Sequence, residues 1–482
     1  MMNADASLVE MKRKIQTEVA RLAYEGTLNE KAEFIPEKII PGTIPLYRCC
    51  VYKEREIVRI RTRLCRGLST GEEDNPNIIQ VIEPACADCP ISSFTVTDNC
   101  QNCIGKPCIK SCRFGAIQPG KWRSRIDPNK CKECGQCAKA CPYNAIVYLQ
   151  RPCKSSCPVG ALSYNEYGLS VIDDEKCIRC GQCIHHCPFG AIGVKDSYVQ
   201  VIEEIRSGKP VYAMAAPACE GQFGKGVTMA SWRKAMKELG FADFIEVGLG
   251  GDLTTSAEAE EWFEAYERGE MRTTSCCPAF VNMIRKHYPD LADRISTAVS
   301  PMCNVSRLLK AKHPNAVTVF IGPCVAKKSE ILDQQIAGNA DYALYFDEIQ
   351  AMMAAKGVRF EQIPEDYQRS SIYGKKYANA GGVTASVIQY LKETGREINA
   401  EICKVSGGTE IKKTLLLAQK DRLNAEFIEG MVCEGGCFNG PGSIDNGPSG
   451  IKNRTALLAQ ADNRSITENL KDYDLESFSR YR

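Results

Sequence analysis

Sixteen of the 27 cysteines lie between Cys86 and Cys187, and their spacing leaves few folds open. Cys131-x2-Cys134-x2-Cys137-x3-Cys141-Pro142 is repeated as Cys177-x2-Cys180-x2-Cys183-x3-Cys187-Pro188. Runs of this kind hold [4Fe–4S] cubanes: the first three thiolates ligate one cluster and the fourth reaches across to its neighbour. Gly135 and Gly181, between the second and third thiols, relieve crowding where the backbone wraps the cluster. Each run needs a partner. Cys100-x2-Cys103-x4-Cys108-x3-Cys112 pairs with the 131–141 run. Cys86-x2-Cys89 and Cys153-x3-Cys157-Pro158 read as two halves of a fourth run, split by insertion of the other pair. The crossover rule then gives four ligand sets: 100/103/108/141, 131/134/137/112, 177/180/183/157 and 86/89/153/187. Zinc ribbons or fewer than four clusters are the competing readings; zinc sites use paired Cys-x2-Cys, but not this run with its trailing proline. His185 and His186 fall inside a complete run and read as surface residues or outer neighbours of a cluster. Cys49, Cys50 and Cys65 lack a repeat spacing and read as buried or incidental thiols.

Four cubanes in a row relay single electrons between a surface entry and a buried site, so the rest of the chain is expected to hold a redox centre. Its 482 residues suggest about three domains. Met1–Glu30 carries charges throughout and no apolar stretch of a secretory signal, so a cytoplasmic, reducing location is expected. No apolar run reaches the length of about 20 residues that spans a bilayer. A net charge of +2 argues against a generic nucleic-acid binder. Residues 1–85 are expected to be a helical and extended region, with Met11, Ile15, Val19 and Leu22 marking an amphipathic helix. Pro36, Pro41, Gly42 and Pro45 are expected to break the chain into an extended connection. Residues 86–205 form the cysteine-rich region. From 206 to 445 the pattern changes to strands (within Pro210–Pro217 and at Val317–Ile321) alternating with helices (Ser231–Leu239, Val387–Lys392, Ile411–Leu417). That is an α/β domain with parallel strands and sites at strand ends. Residues 446–482 form a polar tail expected to pack on it.

This second domain carries three short motifs: Thr274-Ser275-Cys276-Cys277-Pro278, Gly322-Pro323-Cys324-Val325-Ala326-Lys327-Lys328, and Met431-Val432-Cys433-Glu434-Gly435-Gly436-Cys437. Four of these thiolates suffice for one more cubane, with one thiol left for acid–base work. In order and spacing the motifs resemble the three signatures of the [FeFe]-hydrogenases, most closely the group B branch. The resemblance covers about residues 206–445 and the ferredoxin-like region before them. It implies a ferredoxin-like iron–sulfur region followed by an α/β H-cluster domain, an α+β and α/β multidomain chain. Cys277, Cys324, Cys433 and Cys437 would ligate the H-cluster cubane. Cys437 would bridge to a di-iron subsite carrying CO, cyanide and azadithiolate. Cys276 would pass protons to the azadithiolate amine, and Lys327 would hydrogen-bond a cyanide, as suits a cation beside an anionic ligand. Met431 would pack near the bridging CO. Ala216 and Pro217 would line the same pocket, with Tyr377, Gly381 and Gly382 on its other side.

Glu258, Glu261 and Ser296 are the counterparts of the family's proton path; carboxylate, hydroxyl and thiol groups make short-range carriers. A solvated helix face is the plainer reading of the two glutamates, because Glu260 and Glu264 stand beside them. There are departures. Group A enzymes have methionine where Gly322 stands, so one apolar contact to the di-iron subsite would be missing. Glu434 replaces a proline, and Ala265 stands where an arginine is expected near the relay. Met302, Cys303 and Cys219 are unusual near such a pocket. The resemblance implies reversible 2H⁺ + 2e⁻ ⇌ H₂, fed by a ferredoxin-type carrier, with the di-iron subsite installed by maturation proteins. The alternative is a non-catalytic relative, an H₂ sensor or an iron–sulfur assembly protein.

Overall fold

The computed structural model describes residues 8–48, 50–89, 93–365 and 367–482; Cys49 lies outside them. The amphipathic period becomes the helix Leu8–Glu25, with Met11, Ile15, Val19 and Leu22 all buried. It packs on the helices Phe346–Lys356 and Tyr198–Arg206. Lys12 pairs with Asp347 at 2.5 Å, and Gln16 donates to Asp196 at 3.2 Å. One core cluster runs from Met11 through Tyr198, Val211 and Trp232 to Phe346 and Tyr367. The N-terminal helices therefore share a core with the α/β region instead of forming a separate lobe.

Pro36 does not break the chain as expected. It sits in the first turn of the helix Ile35–Ile39, where a missing N–H costs nothing and a fixed φ is preorganised. The irregular stretch begins only after it. That stretch is tied down by Arg55, which donates to the Ile40 and Gly42 carbonyls at 3.0 and 2.9 Å, and by Glu54, which accepts from Leu46 N at 2.9 Å.

The cysteine-rich region folds as one lobe nested inside another. In the outer lobe Ile79–Val81 pairs antiparallel with Ile192–Val194, and Leu162–Tyr164 with Ser170–Ile172. In the inner lobe Ser93–Val96 pairs with Ile146–Leu149, and Ile117–Gln118 with Arg125–Ile126. The chain thus leaves the outer lobe after Cys89, builds the inner one, and returns before Cys153. That is the split run the cysteine spacing implies.

In the α/β region a four-stranded parallel sheet has the order Asp243–Glu246, Val211–Ala215, Val317–Ile321, Tyr342–Leu344. A second parallel sheet has the order Arg272–Thr273, Phe427–Met431, Ile402–Ser406. The buried, β-branched runs suit strands covered on both faces. The expected helices lie within Met229–Leu239, Gly382–Glu393 and Gly408–Gln419. Thr228 and Ser231 close a capping box on the first, and Gly240, at φ 104°, ends it. Ala216-Pro217, Thr274–Cys277, Gly322–Cys324 and Val432–Cys433 all leave the carboxyl ends of strands, where open α/β sheets place their sites. The tail returns to this region: Val299 N donates to the Arg480 carbonyl and Arg482 N to the Thr297 carbonyl, each at 2.9 Å. Among the described residues no helix is long and apolar enough to cross a membrane.

Ile15 is fully buried between helices while Val9, on the same helix, is exposed. Ile15→Ala is expected to cost about 2–5 kcal/mol, and Val9→Ala within about 0.5 kcal/mol of nothing. Chemical denaturation midpoints of the two variants against the parent check this.

Candidate functional site

The loops at the strand ends line one shared cavity. Cys276, Cys277, Cys324, Cys433 and Cys437 all line it, with Lys327, Met431, Ala216, Pro217 and Tyr377. Local structure fixes each position. Cys277 and Cys324 are the residues immediately before the helices Pro278–His287 and Val325–Glu330, and both have extended backbone there. Met431 ends its strand, and Cys437 opens a short helical turn after Gly436, whose φ of 110° suits glycine.

Burial pushes the Cys324 thiol up to about 11, with Cys277 adding to it. Burial likewise raises Cys437 to about 12, with Cys324 and Cys277 contributing, and raises Cys433 with Cys324 next. Four thiols line one space, and three of them, Cys324, Cys433 and Cys437, are raised by burial and by their neighbours. Bound iron, a concentrated positive charge, is the partner that lets such a set ionise together, so the donor set fits a cubane.

The accessory thiols gather in the same way. Cys100, Cys103, Cys108 and Cys141 line one small cavity. Burial raises Cys137, and Cys131 and Cys112 are among the thiols that add to it. Cys183 is raised by burial, then by Cys180, Cys177 and Cys157. Cys89 is raised by burial, opposed by Arg151, with Cys153, Cys187 and Cys86 close by. The thiol that ends each run accepts a backbone N–H from the residue four positions on. Ala116 donates to Cys112 and Ala145 to Cys141 at 3.4 Å; Ala161 donates to Cys157 and Ala191 to Cys187 at 3.2 Å. Each alanine is buried and followed by Ile or Leu, a fourfold signal legible in the sequence that the cysteine spacing alone passes over. His185 and His186 are exposed. Cys180 lines the large cavity, so one accessory set abuts it.

The candidate relay is partly joined. Glu258 is fully buried; it accepts from Ser275 N at 3.0 Å and from the Tyr377 hydroxyl at 3.2 Å. Burial lifts its carboxyl to about 8, against those two hydrogen bonds, so it is protonated at neutral pH. Burial, then Glu258, raises the Cys276 thiol. Glu261 accepts from the Ser296 hydroxyl at 2.6 Å and from Thr297 N at 3.0 Å. Among the described residues no direct hydrogen bond joins the Glu258 and Glu261 halves. Ala265 is buried, but Arg480 reaches back from the tail to Ser256 and Glu260, and the Tyr481 hydroxyl donates to Glu260 at 2.9 Å. Lys327 pairs with buried Glu330 at 2.6 Å.

Some expectations change. Gly381 and Gly382 do not line the cavity. Gly381 N donates to buried Glu429 at 2.7 Å, and a Cβ on Gly382 would meet the Lys376 carbonyl at 2.3 Å, so both glycines serve the backbone behind Tyr377. The space beside Gly322, where an apolar side chain was expected to be missing, is occupied by Phe320. Its ring lines the cavity and stands 2.8 Å from where a Cβ on Gly322 would lie. Met302 also lines the cavity, whereas Cys219 and Cys303 are buried outside its lining and Glu434 is exposed. Cys65 is buried in the N-terminal core.

Residues 209–441 match the model of the iron only hydrogenase large subunit, C-terminal domain, and residues 124–147 and 170–193 match the 4Fe-4S binding domain. The chain is similar to Iron hydrogenase 1 of Clostridium pasteurianum, 26% identical over 68% of this chain and 66% of that one. It is also similar to the periplasmic [Fe] hydrogenase large subunit of Nitratidesulfovibrio vulgaris, 29% identical over 50% of this chain and 71% of that one. A third relative is the cytosolic Fe-S cluster assembly factor NAR1 of Eremothecium gossypii, 25% identical over 44% of this chain and 60% of that one. The chain thus spans slightly less than two thirds of the first relative's length.

The packing at Phe320 is open to test. Gly322→Met alone is expected to overpack the site by about 1–3 kcal/mol. Pairing it with Phe320→Ala is expected to recover most of that loss. A double-mutant cycle on thermal midpoints and iron content measures the coupling, and strict additivity would contradict the packing.

Proposed function

Since the chain is an iron-only hydrogenase-like protein, we propose that it catalyses the reversible reaction 2H⁺ + 2e⁻ ⇌ H₂. The reading is carried by one juxtaposition: four thiols that suit a cubane, a fifth thiol backed by a protonated carboxyl, and an accessory-cluster thiol all meet at one cavity. Cys277, Cys324, Cys433 and Cys437 would hold the H-cluster cubane, with Cys437 on the side of the di-iron subsite. When bound, that cluster supplies the metal chemistry at which protons and electrons combine. Lys327, fixed by Glu330 at the cavity, would offer its cation to an anionic ligand of the bound cluster. Met431, Phe320, Ala216 and Pro217 keep that side of the cavity apolar and exclude water.

Cys276 carries the proton. Burial raises both the Cys276 thiol and the Glu258 carboxyl, so once Cys276 has given up its proton, Glu258 can return one to the thiolate and then be reprotonated from the outer part of the path. Tyr377 holds Glu258 in place. Glu261 and Ser296 form the outer part of the path, and Arg480 and Tyr481 provide beside it the cation and hydroxyl that Ala265 cannot. Electrons come from a ferredoxin-type carrier through up to four [4Fe–4S] clusters, and maturation proteins install the di-iron subsite. Similarity to a cluster-assembly factor favours one other reading, a non-catalytic iron–sulfur protein. The retention of Cys276 at the cavity weighs against it.

Cys276→Ser is expected to lower H₂ turnover by at least about 10²-fold while CO and cyanide infrared bands persist. Wild-type protein with those bands and no turnover would instead support the non-catalytic reading. Iron analysis gives a separate check: five cubanes require about 20 irons per chain before the di-iron subsite is loaded. A total near 12 would rule out the four accessory clusters.

A further inference from the structure

We propose that the inner iron–sulfur lobe is the docking surface for a small, acidic, one-electron carrier protein. Residues 93–149 hold nine Lys and Arg against three Asp and Glu, in a chain whose whole net charge is only +2. The outer lobe does not share the bias: residues 150–195 hold five against four. The two cubanes assigned to the inner lobe add negative charge, but inside it. The cations stand outside. Lys110, Arg113, Lys121, Arg123, Arg125, Lys130, Lys132 and Lys139 are all exposed. Of these, Arg123 pairs with Asp98; among the described residues the other seven make no salt bridge. Their charge is therefore available to a partner.

The cations also surround one cluster. Lys130 and Lys132 flank Cys131, Lys139 lies two residues after Cys137, and Lys110 and Arg113 bracket Cys112. The short helices that carry Lys110 and Lys139 pack together. Cys134, of the same ligand set, is exposed. At the opposite end of the cysteine series, Cys180 lines the buried cavity. So the thiols span from solvent to the site, and the solvent end is the basic one. Exposed apolar groups stand on the same lobe: Phe114 and Tyr143 are about half exposed, and Ile104 is fully so. A lobe that carries unpaired cations, exposed apolar side chains and an exposed cysteine of an iron–sulfur run together fits an acidic redox protein better than a nucleic acid, which has no use for a cluster beneath the contact.

Each encounter passes one electron. The carrier is oxidised by one, the cubane beside Cys134 is reduced by one, and no bond or proton changes hands. Two encounters supply one H₂. The destination of the electrons rests on the hydrogenase reading; the docking does not.

The test is stopped-flow reduction of the cluster-loaded protein by an acidic flavodoxin hydroquinone, following semiquinone formation. The wild-type second-order rate is expected to fall by at least about tenfold as salt screens the encounter. Lys130→Glu/Lys132→Glu/Lys139→Glu is expected to slow it about tenfold at low salt, and the matching Gln set about threefold. A reduced zwitterionic viologen, which needs no charged dock, is expected to reduce all three proteins at one rate. A carrier rate indifferent to both salt and variant would overturn the proposal. So would equal slowing with the viologen in the Gln set, or loss of single-stranded oligonucleotide binding with the carrier rate intact. Electron uptake without H₂ would count against the hydrogenase reading and leave the docking surface standing.

Discussion

Buried thiolate charge is the constraint on which the rest of this structure depends. Burial drives Cys324, Cys433 and Cys437 at the cavity upward, and likewise Cys89, Cys137 and Cys183 in the accessory sets, and neighbouring thiols reinforce it. Alone, such groups would stay protonated and opposed to one another. Iron removes the conflict, because each cluster is the counter-charge its own ligands lack. The protein contributes backbone hydrogen bonds: the four Cys-x3-Ala turns each aim an N–H at sulfur while burying the alanine beneath a strand. These lobes have short strands and few apolar side chains, so the clusters do the work that a larger core does elsewhere.

The same constraint orders the molecule from outside to inside. The inner lobe keeps a thiol in solvent at Cys134 and a dense set of cations around it. The outer lobe is nearly charge-balanced and delivers Cys180 to the cavity wall. Beyond that wall the surroundings become apolar and closed, and the remaining polar groups are held by partners. Lys327 is met by Glu330, Glu258 by Ser275 and Tyr377, and Glu429 by Gly381 and Thr384. Water-exposed charge thus gives way to paired charge as the path nears the site, and low dielectric there strengthens each remaining interaction.

What the sequence made legible is what short-range chemistry dictates. The cubane runs, the nesting of one pair inside the split halves of another, the strand-end motifs and the first helix all follow from spacing and period. Pro36 was misleading because proline ends helices from within but begins them equally well. Phe320 could not be foreseen as the filler of the space at Gly322: its ring reaches forward from the preceding strand, a matter of rotamer and packing that spacing does not encode. Gly381 and Gly382 carried the family pattern, yet the close approach of the Lys376 carbonyl and the bond to Glu429 explain them without any cofactor contact. Arg480 is more than two hundred residues from the helix Gly248–Glu267 that it meets, so no local signal marks it.

The doublet Lys327-Lys328 shows how one short motif serves two ends. Lys327 lines the cavity and pairs with Glu330, while its neighbour points away and is almost fully buried against Glu348 at 2.6 Å. Glu348 also accepts from Tyr345 N and from Ser197 N, and Asp196 stands 3.9 Å from the Lys328 ammonium. Asp196 and Ser197 directly follow the last strand of the outer lobe, after its ligand Cys187. Lys12 of the first helix adds its charge near Asp196. Burial lifts Glu348 to about 7, while the charge of Lys328 and its hydrogen bond oppose that rise. Removing one member would leave an uncompensated charge in the interior, a far larger penalty than losing a surface pair. A hydrophobic seam could join the two regions as firmly, but it could slide. Directional, buried ion pairs fix the outer lobe against the Cys324 loop in one register, and so hold Cys180 at a constant place in the cavity wall.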